Sequence, residues 1–173
     1  MKIKENKQQY NFFTQKQKKM KKILIALDYD PTAQVIAEKG FMLAKAMGAE
    51  VTLLHVIADP VYYSSVNYSP VMGFSGYMDM DPSQTDITAE LKKESLLFLE
   101  RSKEHLADDS INTLVTEGGF ADSILDTAKE IDADLIVMGS HSRSWLNDIL
   151  VGSVTEKVLQ SSTIPLFIIP VKE

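Results

Sequence analysis

No cysteine occurs among the 173 residues, so disulfides and thiolate metal sites are excluded and nothing points to an oxidising compartment. Uninterrupted apolar runs are equally scarce. None approaches the ~18 residues that a membrane span needs, and the N-terminus is rich in Lys and Gln with no apolar centre, which is unlike a secretory signal. The sequence therefore points to the cytoplasm and away from membranes. Histidine is sparse, and His55, His105 and His141 fall in three different segments with no metal-ligand spacing between them. A phosphate loop of the G-x-x-x-x-G-K-S/T kind, a nucleophile elbow and a separate pair of carboxylates are also missing, so no residue pattern commits the chain to catalysis.

What is present fits one domain, with 45% apolar residues and enough length for a sizeable core. Charge is unevenly spread. Residues 1–22 carry eight lysines and one glutamate, so the net charge of −6 leaves −13 on the remainder. That acidic body repels nucleic acid. Residues 1–20 read as a basic flexible leader, and residues 21–173 as a single domain beginning beside Met20-Lys21-Lys22-Ile23.

From Lys22 onward, short β-branched runs alternate with helical patterns, the signature of a parallel sheet covered by helices. Ile23 to Leu27 is a first strand apolar enough for burial on both faces. Asp30 before Pro31 predicts a helix start, and Ala33, Ile36, Ala37, Gly40, Leu43, Ala44 and Met47 give it one apolar face up to Gly48. Val51 to Ile57 is a second strand, and a helix is expected from about Asp86 to Leu106. Ile111 to Thr116 is a third strand, Ala121 to Ile131 a third amphipathic helix, and Leu135 to Met138 a fourth strand. Ser153-Val154-Thr155-Glu156 has the form of a capping box opening a last helix, and Pro165 to Pro170 is a final strand whose prolines favour a sheet edge.

An insertion at about 58–85 is the most individual part. Tyr62, Tyr63, Tyr68, Phe74 and Tyr77 lie there with Met72, Met78 and Met80 and no Lys or Arg, a composition wrong for disorder and expected to pack, on the surface of its own domain or of a neighbour.

The fourth strand leads into Gly139-Ser140-His141-Ser142-Arg143, and Gly152-Ser153-Val154 follows after Val151. A strand that ends in glycine and leads to a helix N-terminus suits an anion, because backbone can approach closely and helix amides point at it. Taken with Ile23 to Asp28, Leu53-Leu54-His55-Val56, Gly118 and Asp132 to His141, this order of motifs resembles the universal stress protein family from about Met20 to Val171.

That resemblance implies a doubly wound, Rossmann-like α/β fold with a five-stranded parallel sheet in the order 3-2-1-4-5 and helices on both faces. It also implies a homodimer joined through the final strand, Pro165 to Pro170. In the nucleotide-binding branch, the motif is Gly, two residues, Gly, nine residues, Gly, then Ser or Thr. Gly139 fills the first place, Gly152 the third and Ser153 the hydroxyl place, while Ser142 stands where the second glycine would be. The implied ligand is ATP or another adenine nucleotide, with Mg²⁺ held through its phosphates.

By matching position, Asp28 accepts hydrogen bonds from ribose or base, and Val56 and Met138 form apolar walls for adenine. Gly139, Ser142, Arg143, Gly152, Ser153 and Val154 surround the phosphates. Several have a plainer reading: Asp28 and Ser153 suit helix caps, Val56 and Met138 an ordinary core, Arg143 a solvated loop. The implied role is a stress-response regulator or sensor that binds ATP. The alternatives are a dimeric interaction module of the same fold with no nucleotide and, third, a slow ATPase.

Overall fold

A computed structural model describes residues 20–58, 87–140 and 152–171. All of the expected leader but Met20, all of the insertion but Ala58, and Ser142 and Arg143 of the glycine loop lie outside the described residues.

Among the described residues nine elements follow in order: β1 (Lys22–Ala26), α1 (Ala33–Met47), β2 (Glu50–Ile57), α2 (Ile87–Leu106), β3 (Asn112–Glu117), α3 (Phe120–Glu130), β4 (Leu135–Gly139), α4 (Ser153–Ser161) and β5 (Leu166–Ile169). The strands form one sheet in the order β3-β2-β1-β4-β5, with every adjacent pair parallel. Parallel neighbours need crossovers, and the helices supply them. The order agrees with that implied by the family resemblance, and β5 occupies an edge as its prolines suggested.

Side chains alternate across the sheet with period two and fill two cores. On one face Ile23, Ile25, Leu53, Leu135 and Val137 pack with Ile36, Ala37 and Ala44 of α1 and Leu99 of α2. On the other, Leu24, Leu54, Val56, Ile136 and Met138 pack with Ala121, Ile124, Leu125 and Ala128 of α3 and Val158 of α4. The chain thus leaves β1 toward one face and β4 toward the opposite face. Between these neighbouring strands the sheet has its topological switch point, where doubly wound folds open a crevice.

Local chemistry sets the boundaries. Asp30 heads the turn into α1: its Oδ1 accepts from the Thr32 amide at 2.8 Å and the Thr32 hydroxyl at 2.6 Å, and its carbonyl accepts from the Ala33 amide at 2.9 Å. Thr32, not Asp30, is the N-cap and makes no side-chain cap bond: the aspartate closes the turn ahead of the helix, and the regular helix begins at Ala33. Gly48 ends α1 with φ 60°, and its amide closes on the carbonyls of Ala44 and Lys45. Gly118, between β3 and α3, has φ 135°, a conformation that a Cβ disfavours. At the opposite end of the sheet Asp134 Oδ2 accepts from the amides of Lys21 and Lys22 at 2.8 and 3.2 Å, which locks the entry of β1 to that of β4.

Candidate functional site

The C-terminal ends of β1 and β4 bring the first two elements of the site together. Ile25 is paired with Val137, so Asp28, three residues further on, leaves the sheet beside the Gly139–Ser140 end of β4. Leu27 is still tied to the sheet, its amide donating to Leu54 O at 2.9 Å, whereas the next residue, Asp28, is exposed. Gly139 and Ser140 are buried, and the Ser140 amide donates to Ile169 O at 3.0 Å.

The last helix starts differently from the capping box expected at Ser153. Gly152 is the N-cap, in extended conformation with φ −69° and ψ 155°, and Ser153 is the first helical residue. Ser153 is exposed and stands one place past the cap, so capping does not account for this serine. The first intrahelical bond runs from the Glu156 amide to Gly152 O at 2.9 Å, which leaves the amides of Ser153, Val154 and Thr155 without an acceptor inside the helix. These amides carry the positive end of the helix dipole.

Thr155, which the motif reading passed over, joins the two halves. Its buried hydroxyl donates to Gly139 O at 2.9 Å, pinning the first turn of α4 to the last residue of β4 across sixteen positions of sequence. Two features of the glycine motif, Gly139 and Gly152-Ser153, are thus held together by a residue outside it.

Val56 and Met138 lie near the ends of β2 and β4, and their side chains are buried in the core beneath α3 and α4. They satisfy the ordinary core reading. Val154 is half-buried and packs against the same core.

His55, on a strand covered on both faces, is a hydrogen-bonded core histidine. Its Nδ1 donates to Leu27 O at 2.8 Å. Burial pushes its pKa below 6.5, while the Leu27 hydrogen bond and the charge of Asp28 act in the opposite direction. A histidine whose pKa is lower folded than unfolded takes up a proton on unfolding, so its contribution is complete above pH 6.5 and is lost as pH falls from there through the folded value. Thermal melts from about pH 7.5 to about pH 5 should therefore show the wild type losing stability more steeply than His55→Asn. Parallel curves would contradict this.

His105 serves elsewhere. Its Nε2 lies 2.8 Å from Glu38 Oε1 and also contacts Gln34 Nε2, bridging α2 to the exposed side of α1. Among the described residues no group of three His, Cys, Asp or Glu side chains is placed to hold a metal ion. Nor is any described helix long and apolar enough to cross a membrane.

A parallel five-stranded sheet whose strand order reverses between β1 and β4, with an aspartate following one strand and a glycine-capped helix following the other, defines a doubly wound α/β protein. Residues 19–170 match the family model described as the universal stress protein family, and the chain belongs to that family. It is 35% identical over 150 residues to universal stress protein YxiE of Bacillus subtilis, covering 86% of this chain and 97% of that one. It is 31% identical over 154 residues to universal stress protein MJ0577 of Methanocaldococcus jannaschii, covering 86% and 94%. The solved structure of MJ0577 superposes with a TM-score of 0.63 at 28% identity, covering 90% of this chain and 99% of that one. A universal stress protein solved in complex with cAMP shares the fold at a TM-score of 0.57 and 16% identity, covering 87% and 97%.

Proposed function

We propose that this universal stress protein binds ATP or a related adenine nucleotide at the β1/β4 switch point and acts as a regulator or sensor in a stress response. The observation that carries the reading is the start of α4. Gly152 caps the helix with backbone alone, so the Ser153 hydroxyl and the amides of Ser153 and Val154 are available to anionic oxygens beside Gly139. Asp28, exposed at the end of the adjoining strand, is the natural acceptor for ribose or base hydroxyls and amines. Backbone near Val56 and Met138 would border the adenine, with Ser142 and Arg143 completing the phosphate loop. Mg²⁺ would enter on the phosphates, since the described residues form no cage for it.

A second copy is proposed to dock along β5 from Pro165 to Pro170, where Phe167 is 42% exposed on an edge strand and Leu159 of α4 is 54% exposed.

Titration calorimetry with ATP and Mg²⁺ tests the binding reading directly. Saturable heat is expected, and Ser153→Ala should weaken binding by ~1–3 kcal/mol, the scale of a hydrogen bond to a charged group, with little change in melting temperature. No heat and no thermal shift from the wild type would favour the interaction module with an empty crevice.

A further inference from the structure

An aromatic cluster beneath the exit of β1 holds the residues on either side of Asp28. His55 of β2 is 7% exposed and faces the core under α1 and α2, with its Nδ1 proton committed to Leu27 O. The Tyr29 ring meets the imidazole edge-on, with centroids 4.8 Å apart and planes at 77°. Phe98 of α2 closes the group, 4.5 Å from Tyr29 and 5.7 Å from His55. Leu27 is therefore gripped by its carbonyl and Tyr29 by its ring, while Asp30 is fixed by its bonds to Thr32. Asp28 lies between held neighbours, which restricts its own backbone and the directions its carboxylate can take. Loss of that restriction would have to be reversed on each binding event, at an entropic cost.

We propose that His55 is a positioning residue of the nucleotide site: by holding the Leu27 carbonyl and the Tyr29 ring, it presents Asp28 to the crevice without itself meeting the ligand. This rests on the adenine-nucleotide reading above. His55 serves here as a neutral donor and a flat packing surface. An apolar side chain of similar size keeps part of the packing and loses the donor, whereas asparagine places an amide N–H near the position of Nδ1.

The test uses the full chain and ATP with Mg²⁺ in titration calorimetry. His55→Leu should weaken ATP about tenfold, and His55→Asn should recover most of that loss, within about threefold of wild type. Asp28→Asn should weaken ATP in the wild type but have little further effect in the His55→Leu background, because its carboxylate is no longer presented. Should His55→Leu fail to fold, Tyr29→Ala takes its place and should cost about as much affinity, with the same loss of the Asp28→Asn effect. Undiminished ATP affinity in these variants, or independent multiplication of the two effects, overturns the positioning role while leaving the nucleotide reading intact. A wild type that takes up no ATP overturns the nucleotide reading itself, and the positioning role falls with it.

Discussion

Gly40→Val should lower the thermal midpoint by ~6–12 °C, corresponding to about 3 kcal/mol in a domain of this size. Gly40 sits in the middle of α1 where the helix crosses β1 and β4, and a Cβ built there comes within 2.8 Å of Ile25 Cδ1 and 3.1 Å of Val137 Cγ1. Ile25 and Val137 are fully buried, so neither has open space into which to retreat. Two effects oppose each other in the smaller change Gly40→Ala, since replacing a mid-helix glycine gains ~1 kcal/mol and overpacking loses ~1–3 kcal/mol. Alanine should therefore be only mildly destabilising. Valine adds two methyl groups with a restricted χ1, and its smaller gain in helix propensity over glycine offsets less of the overpacking. Melts followed by circular dichroism decide the matter: a valine variant within ~2 °C of wild type would mean that α1 lifts from the sheet at little cost.

Thr155→Val should cost ~1–3 kcal/mol of stability, because it replaces a buried hydroxyl with a methyl group and withdraws the donor from Gly139 O. The larger consequence is expected at the ligand. With its tether gone, the first turn of α4 is no longer fixed against the end of β4, and ATP affinity should fall about tenfold. Thr155→Ser keeps the hydroxyl and should bind nearly as wild type. The contrast with Ser153→Ala is diagnostic: Ser153 is exposed and should affect binding with little change in stability, whereas Thr155 should affect both. Equal melting and equal affinity for Thr155→Val would show that the hydroxyl bond carries neither role.

The sheet and its helices were legible because their signals are periodic. Ala33, Ile36, Ala37, Gly40 and Ala44 recur at helical spacing, and all five are buried on α1. Leu135 to Gly139 is buried throughout, as its continuous apolar character required of a strand covered on both faces. The start of α4 was legible only to within one residue. Ser153-x-x-Glu156 satisfies the local pattern of a capping box, yet Gly152 takes the cap position and frees the serine. Thr155 and His55 show a different limit. Thr155 meets Gly139 and His55 meets Leu27, partners 16 and 28 positions away in sequence, and no local pattern encodes a bond that exists only once strands and helices are assembled. The strand order likewise came from the family resemblance, because composition and periodicity are indifferent to which strands are neighbours.

The unequal anchoring of the helices has a consequence for local opening. α1 buries five residues over fifteen, whereas α4 buries only Thr155 and Val158 over nine. Helices of about this length have little intrinsic stability in water and persist through tertiary contact. With so little of it buried, α4 is expected to open below the free energy of global unfolding, and the β1–α1 unit only with the whole domain; native-state hydrogen exchange checks this. Any ligand that needs the ordered N-terminus of α4 must therefore bind against a local folding equilibrium, and its apparent affinity is reduced by whatever fraction of molecules have that helix open.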